Sequence, residues 1–346
     1  MHELRKDPII GRWVVMAKDR ARRPGNFIVA DRSNDDISLE KECCFCEGHE
    51  KETPPEIYAI RENNSKPNSK GWKVRVVPDK NPVLETDVDL TPKGHGLYDV
   101  LEGRGAHEVI IETPSHIANM ADLDISQIAL VIQTYVARIN DLEKDTRLQY
   151  VLAHKNYNWS RDNQNITHSY SEIIATPIKP MRVKEELNGS KKYFDYHERC
   201  IYCDLIKQEI AAQERVIFEN DHFLVVVPFA SRFPFELWVL PKKHNAQFPK
   251  GVSGLETELA KALKEILLKI KIGLGDPAYH FVVHTAPFQR QKEKPMQENT
   301  MEEDYHWHIE VMPRLTHTAG FEKGTGFYIC PIPPEEAASY LREVEI

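Results

Sequence analysis

His306-Trp307-His308-Ile309-Glu310, running on into Val311-Met312-Pro313-Arg314, is the stretch on which the reading of this chain turns. His306, His308 and Glu310 alternate with Trp307, Ile309 and Val311. Side chains of a β-strand point alternately to opposite faces, so this spacing predicts a strand with one apolar face and one face of three ionisable groups. Such groups are expensive to bury without a metal or phosphate partner. Either they ligate something or they do chemistry; the plainer alternative is a pair of satisfied histidines on a half-exposed strand. That alternative loses ground because an altered copy, His168-Ser169-Tyr170-Ser171-Glu172, stands earlier in the chain.

Working outward from the two copies, their surroundings repeat as well. Cys43-x-x-Cys46 is answered by Cys200-x-x-Cys203, and the strand stretch Val74 to Pro78 by Leu224 to Pro228. Glu108 to His116 is answered by Glu236 to His244 over the same interval. A helix follows each. In the first half Ile128, Val131, Ile132, Tyr135, Val136, Ile139 and Leu142 fall at helical spacing, and in the second the helix is expected over 255–270. A five-part order met twice implies an internal duplication. The expected fold class is therefore α+β: two units, each an antiparallel sheet backed by a long helix, packed around a shared cleft. The expected organisation is an N-terminal half over 1–178, a charged linker over 179–195, and a C-terminal half over 196–346.

Bulk properties narrow the function classes. Of 346 residues, 41% are hydrophobic and 28% charged, the balance of a soluble globular protein. A net charge of −8 argues against general nucleic-acid binding, although Arg12, Lys18, Arg20, Arg22 and Arg23 crowd the first 25 positions. No run of 18 apolar residues predicts a membrane span, and Met1 to Asp7 has no apolar signal core, so a cytoplasmic location is expected. In a reducing compartment two Cys-x-x-Cys pairs read as metal ligands rather than disulfides. Cys44 and Cys330 have no evident partner and read as ordinary small residues.

Each half thus offers two cysteines and two histidines: Cys43, Cys46, His116 and His168, then Cys200, Cys203, His244 and His306. Two thiolates and two imidazoles suit tetrahedral Zn²⁺ with no open position, so two structural zinc ions are expected, against the alternative of reduced thiols. Each metal would pin the first histidine of its motif and so aim the residue two further on. That makes Tyr170 and His308 the positions at which to look for catalysis.

Taken together these residues resemble the galactose-1-phosphate uridylyltransferase family of the histidine-triad superfamily, over almost the whole chain. The likeness is carried by Glu3 to Pro8, Gly11 to Val15, Arg20 to Pro24, Cys43 to Gly48, Glu108 to His116, His284 to Phe288 and His306 to Arg314. Gly320 to Gly326 is similar to the branch that includes ADP-glucose phosphorylase. The resemblance implies a two-step nucleotidyl exchange. A histidine attacks the α-phosphorus of a nucleoside-diphosphate sugar, and a sugar-1-phosphate or phosphate then takes the nucleotide. It implies a nucleotide sugar and a sugar phosphate or phosphate as partners, a homodimer, and Arg20 and Arg23 as phosphate holders; on the residues alone those arginines read equally as a solvated loop. Glu172, His284 and Glu310 are the further candidate substrate contacts.

The chain departs from the family where the nucleophile belongs. The family has His-x-His-x-Gln in its first half; here Tyr170 stands at the nucleophile position and Glu172 at the phosphate-binding amide position. A phenol with a pKa near about 10 is a weak nucleophile, and an ionised carboxylate repels phosphate. The second half keeps its histidine, with two readings open. His308 is the nucleophile of a relocated centre, or His284, His308 and Glu310, with Glu185 or Glu186, form the further metal site of some family members. The rival to a transferase is a catalytically degenerate protein that binds a nucleotide or nucleotide sugar. A purely structural zinc protein would leave the basic loop and the His284 motif unexplained.

Overall fold

The computed structural model describes residues 2–17, 43–62, 65–158, 167–289 and 300–346. Arg20 and Arg23 lie outside the described residues. The N-terminal segment forms β1 (Glu3–Lys6) and β2 (Trp13–Met16). The first half continues with β3 (Tyr58–Arg61), β4 (Trp72–Pro78), a hairpin of β5 (Lys93–His95) and β6 (Tyr98–Val100), and β7 (Ala106–Ile111). Helix α1 (Ile125–Leu142), β8 (Tyr150–Tyr157) and β9 (Tyr170–Thr176) complete it. Then come α2 (Met181–His197), α3 (Ile201–Ala212), β10 (Val216–Glu219), β11 (Phe223–Val226), β12 (Leu237–Pro241), α4 (Phe248–Val252) and α5 (Glu256–Leu274). The chain closes with β13 (Tyr279–His284), α6 (Met301–Asp304), β14 (His308–Pro313), α7 (Gly320–Thr325), β15 (Tyr328–Cys330) and α8 (Pro334–Glu343).

Ten strands make one sheet in the order β10-β11-β12-β14-β13-β8-β9-β7-β4-β3, with every neighbouring pair antiparallel. The second half is laid down as β10-β11-β12-β14-β13 and the first, read from the other edge, as β3-β4-β7-β9-β8. The two halves share one strand permutation, and each inserts its long helix, α1 or α5, between its third and fourth strands. The repeat read in the motif order is thus a repeat of topology. Instead of facing each other across a cleft, the halves meet edge to edge, where β8 pairs with β13 from Tyr279↔Tyr157 to Val283↔Ala153. Left apart, these two strands would each expose a row of unpaired N–H and C=O groups; paired, they satisfy one another.

The period-two patterns place the faces as expected. Trp307, Ile309 and Val311 point under the helices into the main core, alongside Ile173, Ala175 and residues of α1 and α5 such as Ile132, Ile139, Leu263 and Ile270. Full burial of each large apolar side chain stabilises the fold by about 1.5–3 kcal/mol. The opposite face of the same strands carries Tyr170, Glu172, His308 and Glu310. This outer face is where the unusual chemistry collects.

Residues 179–195, read as a linker from their charge, are mostly the ordered helix α2. Its buried side chains Val183, Glu186 and Ser190 recur on one face, and that face covers the outer side of the second half. The charge that made the stretch look like a linker belongs to the solvent side of an amphipathic helix. The second cysteine pair also differs from the first: Cys43 to Cys46 form a turn, whereas Cys200 precedes the first turn of α3. No described helix is long and apolar enough to cross a membrane.

Gly189 sits mid-helix in α2, where alanine would ordinarily be favoured by about 1 kcal/mol. A Cβ there would overlap the Ile9 carbonyl, so the N-terminal segment lies directly against this helix. Gly189→Ala is therefore expected to reverse the usual sign and destabilise the protein by about 1–3 kcal/mol. Thermal unfolding checks it: an unchanged or raised Tm would mean that Ile9 does not pack there.

Candidate functional site

Two Cys₂His₂ groups come together from distant parts of the sequence. In the first, the donor atoms of Cys43, Cys46, His116 and His168 all lie within 4.8 Å of one another. His168 Nδ1 is 3.6 Å from Cys43 Sγ and 3.7 Å from Cys46 Sγ, and His116 Nδ1 is 3.4 Å from Cys46 Sγ. In the second, His306 Nδ1 is 3.8 Å from Cys200 Sγ and 3.7 Å from Cys203 Sγ, and His244 Nδ1 is 3.4 Å from Cys203 Sγ. The other ring nitrogens are held alike: His168 Nε2 donates to Thr113 O at 2.8 Å and His306 Nε2 to Pro241 O at 2.9 Å. With the proton committed to Nε2, the Nδ1 lone pair is aimed at the sulfurs, the arrangement a metal-ligating imidazole needs. Both groups can hold a metal ion.

The third residue of each cysteine knuckle packs on the position two beyond the pinned histidine. Phe45 meets Tyr170 edge-on at 5.5 Å, and Tyr202 meets His308 at 5.0 Å between ring centroids. From there the halves diverge.

In the second half the outer face is sealed. Glu186, His284, His308 and Glu310 are all buried, with donor atoms within 4.8 Å of one another. Glu186 reaches in from α2; Glu185, the alternative considered from the sequence, is exposed. His284 lies between the two carboxylates, 3.0 Å from Glu186 and 3.4 Å from Glu310, and stacks on His308 at 4.6 Å. Arg232 binds Glu310 at 2.6 Å, and Arg182 lies 3.5 Å from it. Burial works against charge on His284, but Glu186 and Glu310 push its pKa up to about 9. Burial and the neighbouring His284 push His308 down to about 4, so His308 is neutral at pH 7. A proton on His284 and a metal ion are alternative ways to balance the same carboxylates. His308 is only 1% exposed, and its Nδ1 donates to the carbonyl two residues back, His306 O, at 3.1 Å.

In the first half the outer face is open. Glu172 is gripped by two imidazoles, His107 Nε2 at 3.2 Å on one oxygen and His154 Nε2 at 3.2 Å on the other. Asn156 Nδ2 donates to the second oxygen at 3.3 Å, and Asp79, just after β4, lies 3.8 Å from His107. Burial pushes the Glu172 carboxyl up, but the bonds from His107 and His154 outweigh it and hold it well below the usual carboxylate range. Burial, with the charges of Glu172 and Asp79, pushes the Tyr170 phenol up to about 12. The polar row runs on across the halves: Asn156 Oδ1 is 2.7 Å from His280 Nδ1, whose Nε2 is 2.9 Å from Arg314.

The structure thus brings together each ligand set named from the sequence, and sets Tyr170 with Glu172 in one centre and His284, His308 and Glu310 in another. Asp79, His107, His154 and Arg232 were missed. His154 and Asn156 had a signal, since they alternate with buried Ala153, Lys155 and Tyr157 along β8. His107 and Asp79 had none, because only the β4–β7 pairing, Pro78↔Glu108, brings them together. His280 belongs to the polar row as well.

A duplicated α+β scaffold with a cysteine–histidine knuckle in each half and a polar outer face defines the class. The family follows from comparison. Residues 1–157 match the model of the galactose-1-phosphate uridyl transferase N-terminal domain, and residues 186–331 match that of its C-terminal domain. The chain belongs to this family of nucleotidyl-transferring enzymes. It is 34% identical to the ADP-glucose phosphorylase of Arabidopsis thaliana over 347 residues, 99% of this chain and 93% of that protein. With the galactose-1-phosphate uridylyltransferase of Thermotoga maritima it shares 28% over 353 residues, 100% of this chain and 99% of that one. The crystal structure of the Arabidopsis ADP-glucose phosphorylase with bound ADP-glucose superposes with a TM-score of 0.80 at 32% identity, covering 100% of both chains.

The start of β9, which carries Tyr170, is held from beneath by Lys155. Its Nζ donates to Glu112 at 2.7 Å, Ser169 Oγ at 3.0 Å and the Tyr170 carbonyl at 2.8 Å, with Lys155 1% and Glu112 0% exposed. Removing one partner of a buried ion pair leaves an uncompensated charge and costs about 3–5 kcal/mol. Lys155→Met is expected to lose that much in denaturant unfolding, and adding Glu112→Gln to recover part of it. A single variant as stable as the parent would show that the pair does not hold the strand.

Proposed function

We propose that the protein transfers a nucleoside monophosphate between a nucleoside-diphosphate sugar and a phosphate or sugar-1-phosphate acceptor, at the open centre of the first half. The observation that carries this is the end-to-end likeness, through both halves, to ADP-glucose phosphorylase at 34% identity. That makes an ADP-sugar with phosphate the first pair to test. The two Cys₂His₂ groups hold structural Zn²⁺: bonds of about 2.3 Å to sulfur and 2.0–2.1 Å to nitrogen give tetrahedral S···N edges of roughly 3.6 Å. The separations found, 3.4 to 3.8 Å, fit that shape. In this reading zinc supplies only rigidity, while the chain's own groups meet the substrate.

His308, sealed under α2 with its Nδ1 committed, is placed to ligate rather than to attack, which favours the metal-site reading of the second half. Tyr170 faces the open centre, and a phenol there donates a hydrogen bond to a phosphate oxygen better than it attacks phosphorus. Transfer then runs by direct displacement. An acceptor phosphate oxygen forms a bond to the α-phosphorus as the bond to the bridging oxygen breaks, and the sugar phosphate leaves with that electron pair. The second reading, binding without transfer, is favoured by the same Tyr170 and Glu172 replacements.

Incubation with ADP-glucose and phosphate tests both. The expected result is glucose 1-phosphate and ADP, with inversion at a chiral α-phosphorus and no label left on acid-quenched protein. Acid-labile label with retention would return the reaction to two steps. Tight ADP-glucose binding without turnover would establish the second reading, and neither binding nor turnover with ADP- and UDP-sugars would sink both.

A further inference from the structure

We propose that Asp79, His107 and Glu172 form a solvent-facing divalent-cation site on the outer face of the first half, with His154 on the second Glu172 oxygen. The donor atoms of Asp79, His107 and Glu172 lie within 4.8 Å of one another. They converge from the end of β4, from β7 and from β9, and His154 comes from β8. Mixed carboxylate and imidazole donors suit a divalent ion such as Mn²⁺ or Fe²⁺, unlike the thiolate groups, which suit zinc.

Charge balance is the first argument. Two carboxylates share this small space, and among the described residues no Lys or Arg pairs with either. In the sealed cluster the corresponding carboxylate, Glu310, has Arg232 at 2.6 Å. The Val83 amide donates to His107 Nδ1 at 3.4 Å, so the ring turns its Nε2 to the two carboxylates.

The second argument is the free donor capacity. Asp79 uses Oδ1 on the Asn81 amide and keeps Oδ2 turned toward His107. Asp79 and Glu172 side chains remain 23% and 19% exposed, so an ion held there keeps coordination positions toward solvent. Loading it moves the His107 proton to Nδ1 and gives up the long Val83 contact, on a residue that is itself 62% exposed.

The ion would also answer the puzzle of Glu172. A carboxylate in place of an amide repels a diphosphate; a carboxylate carrying a divalent cation attracts one, through the open positions. This last step rests on the nucleotide-sugar reading; the site itself does not.

The test is titration of the full, zinc-loaded chain with Mn²⁺, following loss of the free Mn²⁺ paramagnetic resonance signal. One Mn²⁺ is expected to bind tighter than roughly millimolar. Glu172→Gln and Asp79→Asn are each expected to weaken it at least about tenfold with unchanged circular dichroism, while Glu186→Gln leaves it in place. Failure to take up Mn²⁺, uptake unaltered in both variants, or uptake lost only in Glu186→Gln would each overturn the site. Adding ADP is expected to remove more free Mn²⁺ than the protein alone and ADP alone account for together. Binding that responds to Glu172 but not to ADP would uphold the site and refute its role toward nucleotide.

Discussion

The structure depends on one contact made twice: a pair of cysteines clamping the first histidine of a strand that begins two residues later. His168 and His306 each present Nδ1 to two sulfurs while Nε2 is fixed by a backbone carbonyl, Thr113 or Pro241. Neither ring can turn without breaking both sets of bonds. The knuckle then lays an aromatic side chain, Phe45 or Tyr202, against the residue two positions on. Alternation along the strand does the rest, sending apolar residues beneath the helices and a tyrosine or histidine, then a glutamate, to the outer face. Long loops between the cysteines and histidines are tolerated because ten strands in register close them.

From the same scaffold the halves have gone opposite ways. The second half covers its outer face with α2, balances Glu310 with Arg232 and His284, and excludes solvent; its His308 has become an interior group. The first half leaves its outer face open and sets a glutamate between two histidines, with a tyrosine beside them. An imidazole with no exposed surface positions other atoms, whereas groups that keep a fifth of their surface open can meet a substrate.

Much of this was legible in the chain itself. The order of Cys-x-x-Cys, strand, Glu-to-His interval, helix and His-x-x-x-Glu is local in each part, so periodicity and spacing reveal it, and the topology repeats it. The ligand sets could be named because each half supplies the same four residue types. What could not be read was lateral. Whether the halves are joined by a cleft or by a shared sheet depends on the β8–β13 pairing, which no local pattern encodes. His107 and Asp79 are neighbours only through the register of β4 on β7. The charged run over 179–195 hid a helix because its buried face contributes only Val183, Glu186 and Ser190 among many polar residues.

The most direct test of the duplicated clamp is anomalous diffraction at the zinc absorption edge from crystals of the chain as purified. Two peaks are predicted, one among Cys43, Cys46, His116 and His168 and one among Cys200, Cys203, His244 and His306, each within about 2.0–2.3 Å of its four donors. Disulfides joining the cysteine pairs, or zinc peaks lying away from both groups, would contradict the account.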